Sequence, residues 1–228
     1  ADAERQPLLA AAGFLLLIVF GLKAAVLPLY FWLPSAYAAA TAPVAALFAI
    51  MTKVGLYAIV RVFTLLFGSQ AGGLAHLVDG LLWPLAMLTL AAGVIGALAV
   101  RSFERLIGYL VIVSVGTLLA GIALGTAASL SGALFYLIHS SWICAALFLL
   151  ADLVARQRGD LRGRLRTGPR LGNPLLLGAL FFIAAVSVAG LPPFSGFLGK
   201  VMLLRAAGAG QQALSLIHIS EPTRQAEI

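Results

Sequence analysis

The sequence predicts an all-α fold: a polytopic membrane helical bundle of about six transmembrane helices, two of them broken. Three observations carry this. Of 228 residues, 62% are hydrophobic and only 10% charged, whereas an ordinary soluble domain carries about 25% charged residues and about 45–50% apolar ones. Mean hydropathy is +1.06. Finally, several stretches meet the length needed to cross about 30 Å of hydrocarbon, which takes about 20 mostly apolar residues. A soluble globule is excluded. The single cysteine, Cys144, rules out an internal disulfide, and no Cys/His cluster has the spacing of a zinc site.

The spans read in order as Leu8 to Leu29, Ala42 to Phe67, Leu77 to Val100, Leu106 to Leu124, Ser131 to Val154 and Pro174 to Ala207. The last is interrupted at Leu191-Pro192-Pro193. Gly, Pro, Ser and Thr punctuate the connections, as in Gly68-Ser69-Gln70 and Gly125-Thr126, and these are too short to be separate domains. The polar start, Asp2 to Pro7, lacks the basic region and cleavage site of a signal peptide.

A net charge of +7 and a pI near 10.2 raise the question of nucleic acid. The basic residues form no aromatic-interleaved patch, however, and six of them fall between Arg156 and Arg170. The charge reads as topology. Arg101 and Arg105 precede the fourth span and the Arg156 to Arg170 cluster follows the fifth, so two crossings return both to one side, the cytoplasmic side by the excess of basic residues. Gly68 to His76 and Gly125 to Leu130 contain no Lys or Arg and are expected on the opposite face, together with Ala1.

Only three lysines occur, Lys23, Lys53 and Lys200, and each lies within an apolar span. A mid-membrane lysine costs roughly 2.5–3.5 kcal/mol on insertion scales, which one span can bear. An ammonium can gain and lose a proton when its surroundings tune it, whereas a guanidinium stays charged. These lysines are therefore candidates for a proton relay. The residues alone leave open that they snorkel to an interface or close structural ion pairs.

Lys23 is followed by Pro28 and Pro34, and Lys200 is preceded by Gly190-Leu-Pro-Pro-Phe-Ser-Gly-Phe-Leu-Gly. Proline removes a backbone donor and clashes with the preceding turn, and the carbonyls so freed survive at membrane depth only where protein or water satisfies them. Two interrupted helices, each bearing a lysine, mark a hydrated pathway and are what repeated transporter halves leave behind. Pro28 alone also fits an ordinary kink. His139, in mid-span, titrates near physiological pH and is a further relay candidate beside the alternative of a packing residue. Arg61 and Asp79 form a candidate ion pair across one short loop, and no carboxylate lies deep in a span.

The runs Phe20-Gly-Leu-Lys-Ala-Ala-Val-Leu-Pro-Leu-Tyr-Phe-Trp-Leu-Pro-Ser-Ala-Tyr, Ala42-Pro-Val-Ala-Ala-Leu and Met51-Thr-Lys-Val-Gly-Leu-Tyr resemble the core of the antiporter-like family. Phe103-Glu-Arg-Leu-Ile-Gly-Tyr, Phe135-Tyr-Leu-Ile-His and Gly190-Leu-Pro-Pro-Phe-Ser-Gly-Phe-Leu-Gly-Lys match it in the family's order. The family contains the large Mrp/Pha monovalent cation/proton antiporter subunits and the proton-pumping membrane subunits of respiratory complex I. Within it, the branch of D-type Mrp/Pha antiporter subunits is most similar, through the Gly-Leu-Pro-Pro motif and Ala146-Leu-Phe-Leu-Leu-Ala-Asp.

By that resemblance, Lys23 is the lysine of the first broken helix, Lys53 the connecting lysine, Lys200 the lysine of the second broken helix, and His139 the histidine between them. The resemblance implies an inverted-repeat fold of about fourteen spans, of which residues 1–213 are an internal part. A glutamate partner of Lys23 is implied on an upstream helix. Cys144 stands where many relatives have another buried lysine, and Leu110-Val-Ile-Val-Ser-Val replaces the Ser/His-rich stretch of complex I members, so the relay's middle is drier here. Leu214 to Ile228 departs from the family and looks like read-through translation of a sequencing-library adapter.

The expected function is therefore that of a subunit of a Na+ or K+/proton antiporter in a bacterial cell membrane. It is expected to work with the other subunits of a hetero-oligomeric complex and the lipid bilayer, moving protons against Na+ or K+ without a cofactor or nucleic acid. The alternative is a proton-pumping subunit of an NADH:quinone oxidoreductase (complex I) or membrane-bound hydrogenase. A third, of a different class, is a non-transporting scaffold.

Overall fold

The computed structural model describes residues 6–169 and 171–208, and all named elements within them are helical. They are α1 (Gln6–Ala24), α2 (Trp32–Ala39), α3 (Ala42–Leu65), α4 (Asp79–Ala99), α5 (Phe103–Ala123), α6 (Ala127–Gln157), α7 (Pro174–Ala189) and α8 (Ser195–Ala206), with single 3₁₀ turns at Gly72–Leu74 and Gly159–Leu161. The chain is a polytopic membrane helical bundle. The helices of five segments are long and apolar enough to cross a bilayer on their own: α1, α3, α4 with the 3₁₀ turn before it, α5 and α6. The expected sixth span, Pro174 to Ala207, is two short helices, because Leu191-Pro192-Pro193 cannot continue the ladder. Ala1, Arg170 and the tail from Leu214 lie outside the described residues.

The first span also stops early. Helix α1 ends at Ala24 rather than Leu29: Ala25 takes the left-handed conformation at φ 59°, and the chain turns through Pro28 before α2 begins at Trp32. Gly55, halfway along α3, packs against the Ala24 backbone, so this break sits at mid-depth. Its freed groups are satisfied partly within the turn, where the Ala25 and Val26 amides donate to the Leu22 and Gly21 carbonyls, and partly from beyond it. The Leu27 amide donates to Thr89 Oγ1 on α4 at 3.0 Å, and Trp32 Nε1 donates to the Leu22 carbonyl at 3.1 Å.

Helix α6 starts four residues before the expected Ser131, at a capping box in which Thr126 Oγ1 accepts from the Ser129 amide and Ser129 Oγ accepts from the Thr126 amide. Helix α5 is the centre of the bundle, packed on α2, α3, α4 and α6. Its contact with α4 is close because glycines meet backbone on both sides. A Cβ at Gly116 would lie 2.7 Å from the Leu90 nitrogen, and one at Gly93 would lie 2.8 Å from the Val113 nitrogen.

The two basic segments share one end of the bundle and pair directly. Ser102 and Arg164 form an isolated antiparallel bridge, the Phe103 amide donates to the Gly163 carbonyl at 2.8 Å, and the Leu165 amide donates to the Arg101 carbonyl at 2.9 Å. Arg158 closes this loop, its guanidinium donating to the carbonyls of Arg164 at 2.7 Å and of Arg166. The opposite end gathers Gln6 against Gly73. The expected pairing of Arg61 with Asp79 is not made: the Asp79 carboxylate is three residues from His76 and accepts from its Nδ1 at 2.7 Å, a local contact that needs no reach across the loop.

Candidate functional site

Two apolar clusters fill the bundle, one above the other. The cluster toward the non-basic end includes Ala24, Leu56, Ile59, Val115, Leu118, Ala133, Tyr136 and Leu203. The cluster toward the basic end includes Leu33, Ala49, Ile107, Val111, Cys144, Leu147 and Ala184. Reading along each helix, most of the buried polar side chains fall between the two: Thr52 and Lys53 on α3, Ser114 on α5, Ser140 and Ser141 on α6, and Ser187 on α7, while Thr117 and Ser129 lie toward the non-basic end. A polar layer therefore crosses the bundle at the depth of both helix breaks.

Lys53 is 1% exposed, and its ammonium donates to Ser114 Oγ at 2.6 Å. The Ser114 hydroxyl donates onward to the Val111 carbonyl at 2.7 Å. A buried ammonium left without such a partner is among the more costly states a fold can hold. Sequence reasoning missed Ser114, because it sits in the run Leu110-Val-Ile-Val-Ser-Val, where hydropathy hides a single hydroxyl.

Ser114 also lines a cavity of about 30 Å³ together with Tyr136, His139, Cys144, Val188 and Lys200. A water needs about 10–15 Å³ on this measure, so the space suits two. The sequence candidates Lys53, His139 and Lys200 are thereby brought to one region, Lys53 through Ser114 and the other two directly. Lys23 is not. It lies in the last turn of α1 on an exposed face of the described bundle, at the same break but away from the cavity.

His139 holds the second break from α6. Its Nε2 lies 3.2 Å from the Ser187 carbonyl in the last turn of α7, and its Nδ1 lies 2.8 Å from Ser195 Oγ at the start of α8. A carbonyl only accepts, so Nε2 carries a hydrogen, and in the neutral ring Nδ1 accepts from the Ser195 hydroxyl. The ring also lines a wider groove of about 510 Å³ on the outer side of α6, with Phe135, Trp142 and Ser195. It thus separates the inner cavity from that groove.

Lys200, on α8, reaches back over Gly190 to the end of α7. Its Nζ donates to the Ala189 carbonyl at 2.8 Å and to the Val188 carbonyl at 3.3 Å. Gly190 adopts φ 77°, and a Cβ there would lie 2.7 Å from Lys200 Cδ, so glycine supplies both the left-handed cap and the lysine's path. Carbonyls at a helix C-terminus lack partners within the helix and carry its negative end, which suits a cation. No buried side-chain nitrogen or oxygen among the described residues is left without a partner. Likewise, no group of His, Cys, Asp and Glu that could hold a metal occurs among them.

The chain is 43% identical over 218 residues to the D-type Na(+)/H(+) antiporter subunit of Bacillus subtilis, covering 95% of this chain and 43% of that protein. It is also 43% identical over 221 residues to a probable D-type K(+)/H(+) antiporter subunit of Rhizobium meliloti, covering 89% of this chain and 41% of that one. Among solved structures, the Mrp complex from Dietzia sp. DQ12-45-1b contains a chain that superposes with a TM-score of 0.78 at 31% identity, over 95% of this chain and 40% of that chain. The present chain thus spans about two fifths of the length of these relatives. The family model described as NADH:quinone oxidoreductase/Mrp antiporter, transmembrane, matches residues 2–221, and the chain belongs to that family.

Proposed function

We propose that this chain is part of a proton-translocating subunit of a monovalent cation/proton antiporter, assembled with other subunits in a bacterial plasma membrane. The observation that carries the reading is the bond from the buried Lys53 to Ser114, which opens on a cavity shared with His139 and Lys200 at the depth where a helix is broken. In this reading a proton held on Lys53 passes by way of the Ser114 hydroxyl into the cavity and on to His139, or to Lys200 once the Lys200 ammonium has released its own proton. Ser114 receives a hydrogen from Lys53 and turns its own from the Val111 carbonyl toward the cavity. Lys23, at the first break, is the relay's other lysine. The names of the relatives support coupling to Na+ or K+, and the equal identity of 43% to a Na(+)/H(+) and a K(+)/H(+) antiporter protein favours neither ion.

The test is Lys53→Arg beside Lys53→Ala in the intact subunit within its complex, read as cation-dependent proton flux in vesicles. Arginine keeps the charge but does not deprotonate, so a relay loses flux in both variants. Full flux in the arginine variant overturns the reading.

A further inference from the structure

We propose that the backbone carbonyls of Val188 and Ala189, at the C-terminus of α7, form a binding site for a monovalent cation, which the Lys200 ammonium occupies in this structure. Three features on the chain point to it. The first is the disposition of α7's last carbonyls. Those of Val186 and Ser187 accept from the amides of Gly190 and Leu191, and Ser187 also faces His139, whereas those of Val188 and Ala189 converge on Lys200 Nζ at 3.3 and 2.8 Å. Ammonium is a singly charged ion close to potassium in size, and backbone carbonyls are what replaces the hydration shell of an alkali cation in a selectivity filter. The negative end of the helix adds to the attraction.

The second feature is that the ammonium has somewhere else to go. Lys200 borders the cavity lined by Ser114, Tyr136 and His139, so its flexible stem can carry the charge off the carbonyls into a polar space that suits two waters. Those waters would complete the coordination of a cation on the vacated carbonyls. Half-helix C-termini and unwound carbonyls at the bilayer midplane are where transporters of other folds hold Na+.

The third is the chemistry of the surroundings. The described carboxylates, Asp79, Glu104, Asp152 and Asp160, all lie at helix ends or in loops. Hard divalent cations need such carboxylates, while two neutral carbonyls and water suit a single charge. The titratable side chains that line the cavity with Lys200 are Tyr136, His139 and Cys144, all on α6. Exchange of a tethered ammonium for a free cation rests on the proposed antiport for its use, but the binding is measurable by itself.

The experiment uses the full-length protein in its assembled complex and measures equilibrium binding of radioactive rubidium and sodium at one fixed pH. Lys200→Ala vacates the carbonyls and is expected to add one site per copy of this chain, with affinity about tenfold above any site in the wild type. Lys200→Met fills the space and Lys200→Arg keeps a cation, so neither should gain the site. Lys200→Ser is measured in parallel and judged by the same criterion should the alanine variant fail to assemble. An assembled Lys200→Ala or Lys200→Ser complex that binds no more cation than the wild type overturns the proposal. The flux test on Lys53 is separate: a relay that fails with the cation site present, and a site that fails with the relay intact, are different results.

Discussion

Lys53 on α3 and Ser114 on α5, separated by 61 residues in sequence, are joined at 2.6 Å in the middle of the bundle. Ser114 is the one side-chain hydrogen-bond partner found for this ammonium among the described residues. Hydrogen bonds to charged groups contribute about 1.5–3 kcal/mol, and more is lost when the charge is left buried and unpaired. Ser114→Ala is therefore expected to lower the melting temperature of the complex and to cut cation-dependent proton flux by about tenfold or more. Ser114→Thr, which keeps the hydroxyl, should retain most of both. Alanine and threonine variants with equal flux would remove Ser114 from the path.

Gly190 lies under the Lys200 stem. Gly190→Ala forces a side chain into φ 77° and places a Cβ against Lys200 Cδ. The strained backbone alone costs about 1–3 kcal/mol. A lower melting temperature with reduced proton flux is expected, and the same substitution at Gly178, where an added Cβ meets nothing among the described residues within 4 Å, should change neither.

Close approach of α4 and α5 depends on Gly116. Gly116→Leu would drive a side chain into the Leu90 backbone, an overpacking worth about 1–3 kcal/mol or more when backbone has to shift. The yield of monodisperse complex after extraction should fall. Gly80→Leu, at a position on α4 where an added Cβ meets nothing among the described residues, is the control that should extract like the wild type.

The paired basic loops predict a sidedness. Cysteines introduced one at a time at Gln70 and Asp160, in a Cys144→Ala background, should react with a membrane-impermeant thiol reagent from opposite faces, Asp160 from the cytoplasm. Reaction of both from the same face contradicts the order of crossings. Asp160 is chosen over its neighbour Gly159 because the latter has φ 56°, where a cysteine would strain the loop it reports on.

Hydropathy and proline placement are local properties, and what they determine was legible in the sequence: the membrane-spanning character, the position of the five long spans to within a few residues, the two breaks, and the gathering of the basic loops at one end. The register of the helices against one another is not local, and it decided the rest. It set Thr52, Lys53, Ser114, Ser140 and Ser187 in one layer between two apolar clusters, although Ser114 and Ser187 stand in apolar runs of their own helices. It supplied Lys53 with Ser114, gave the first break a partner in Thr89 and the second a clamp in His139, contacts that span 61, 62 and 48 or 56 residues. It also left Lys23 on an exposed face of the described bundle and let His76 take Asp79 from Arg61. A buried polar group must find its partner wherever packing brings one within about 3 Å, and in a bundle of long helices that neighbour is chosen by tertiary geometry, not by spacing along the chain.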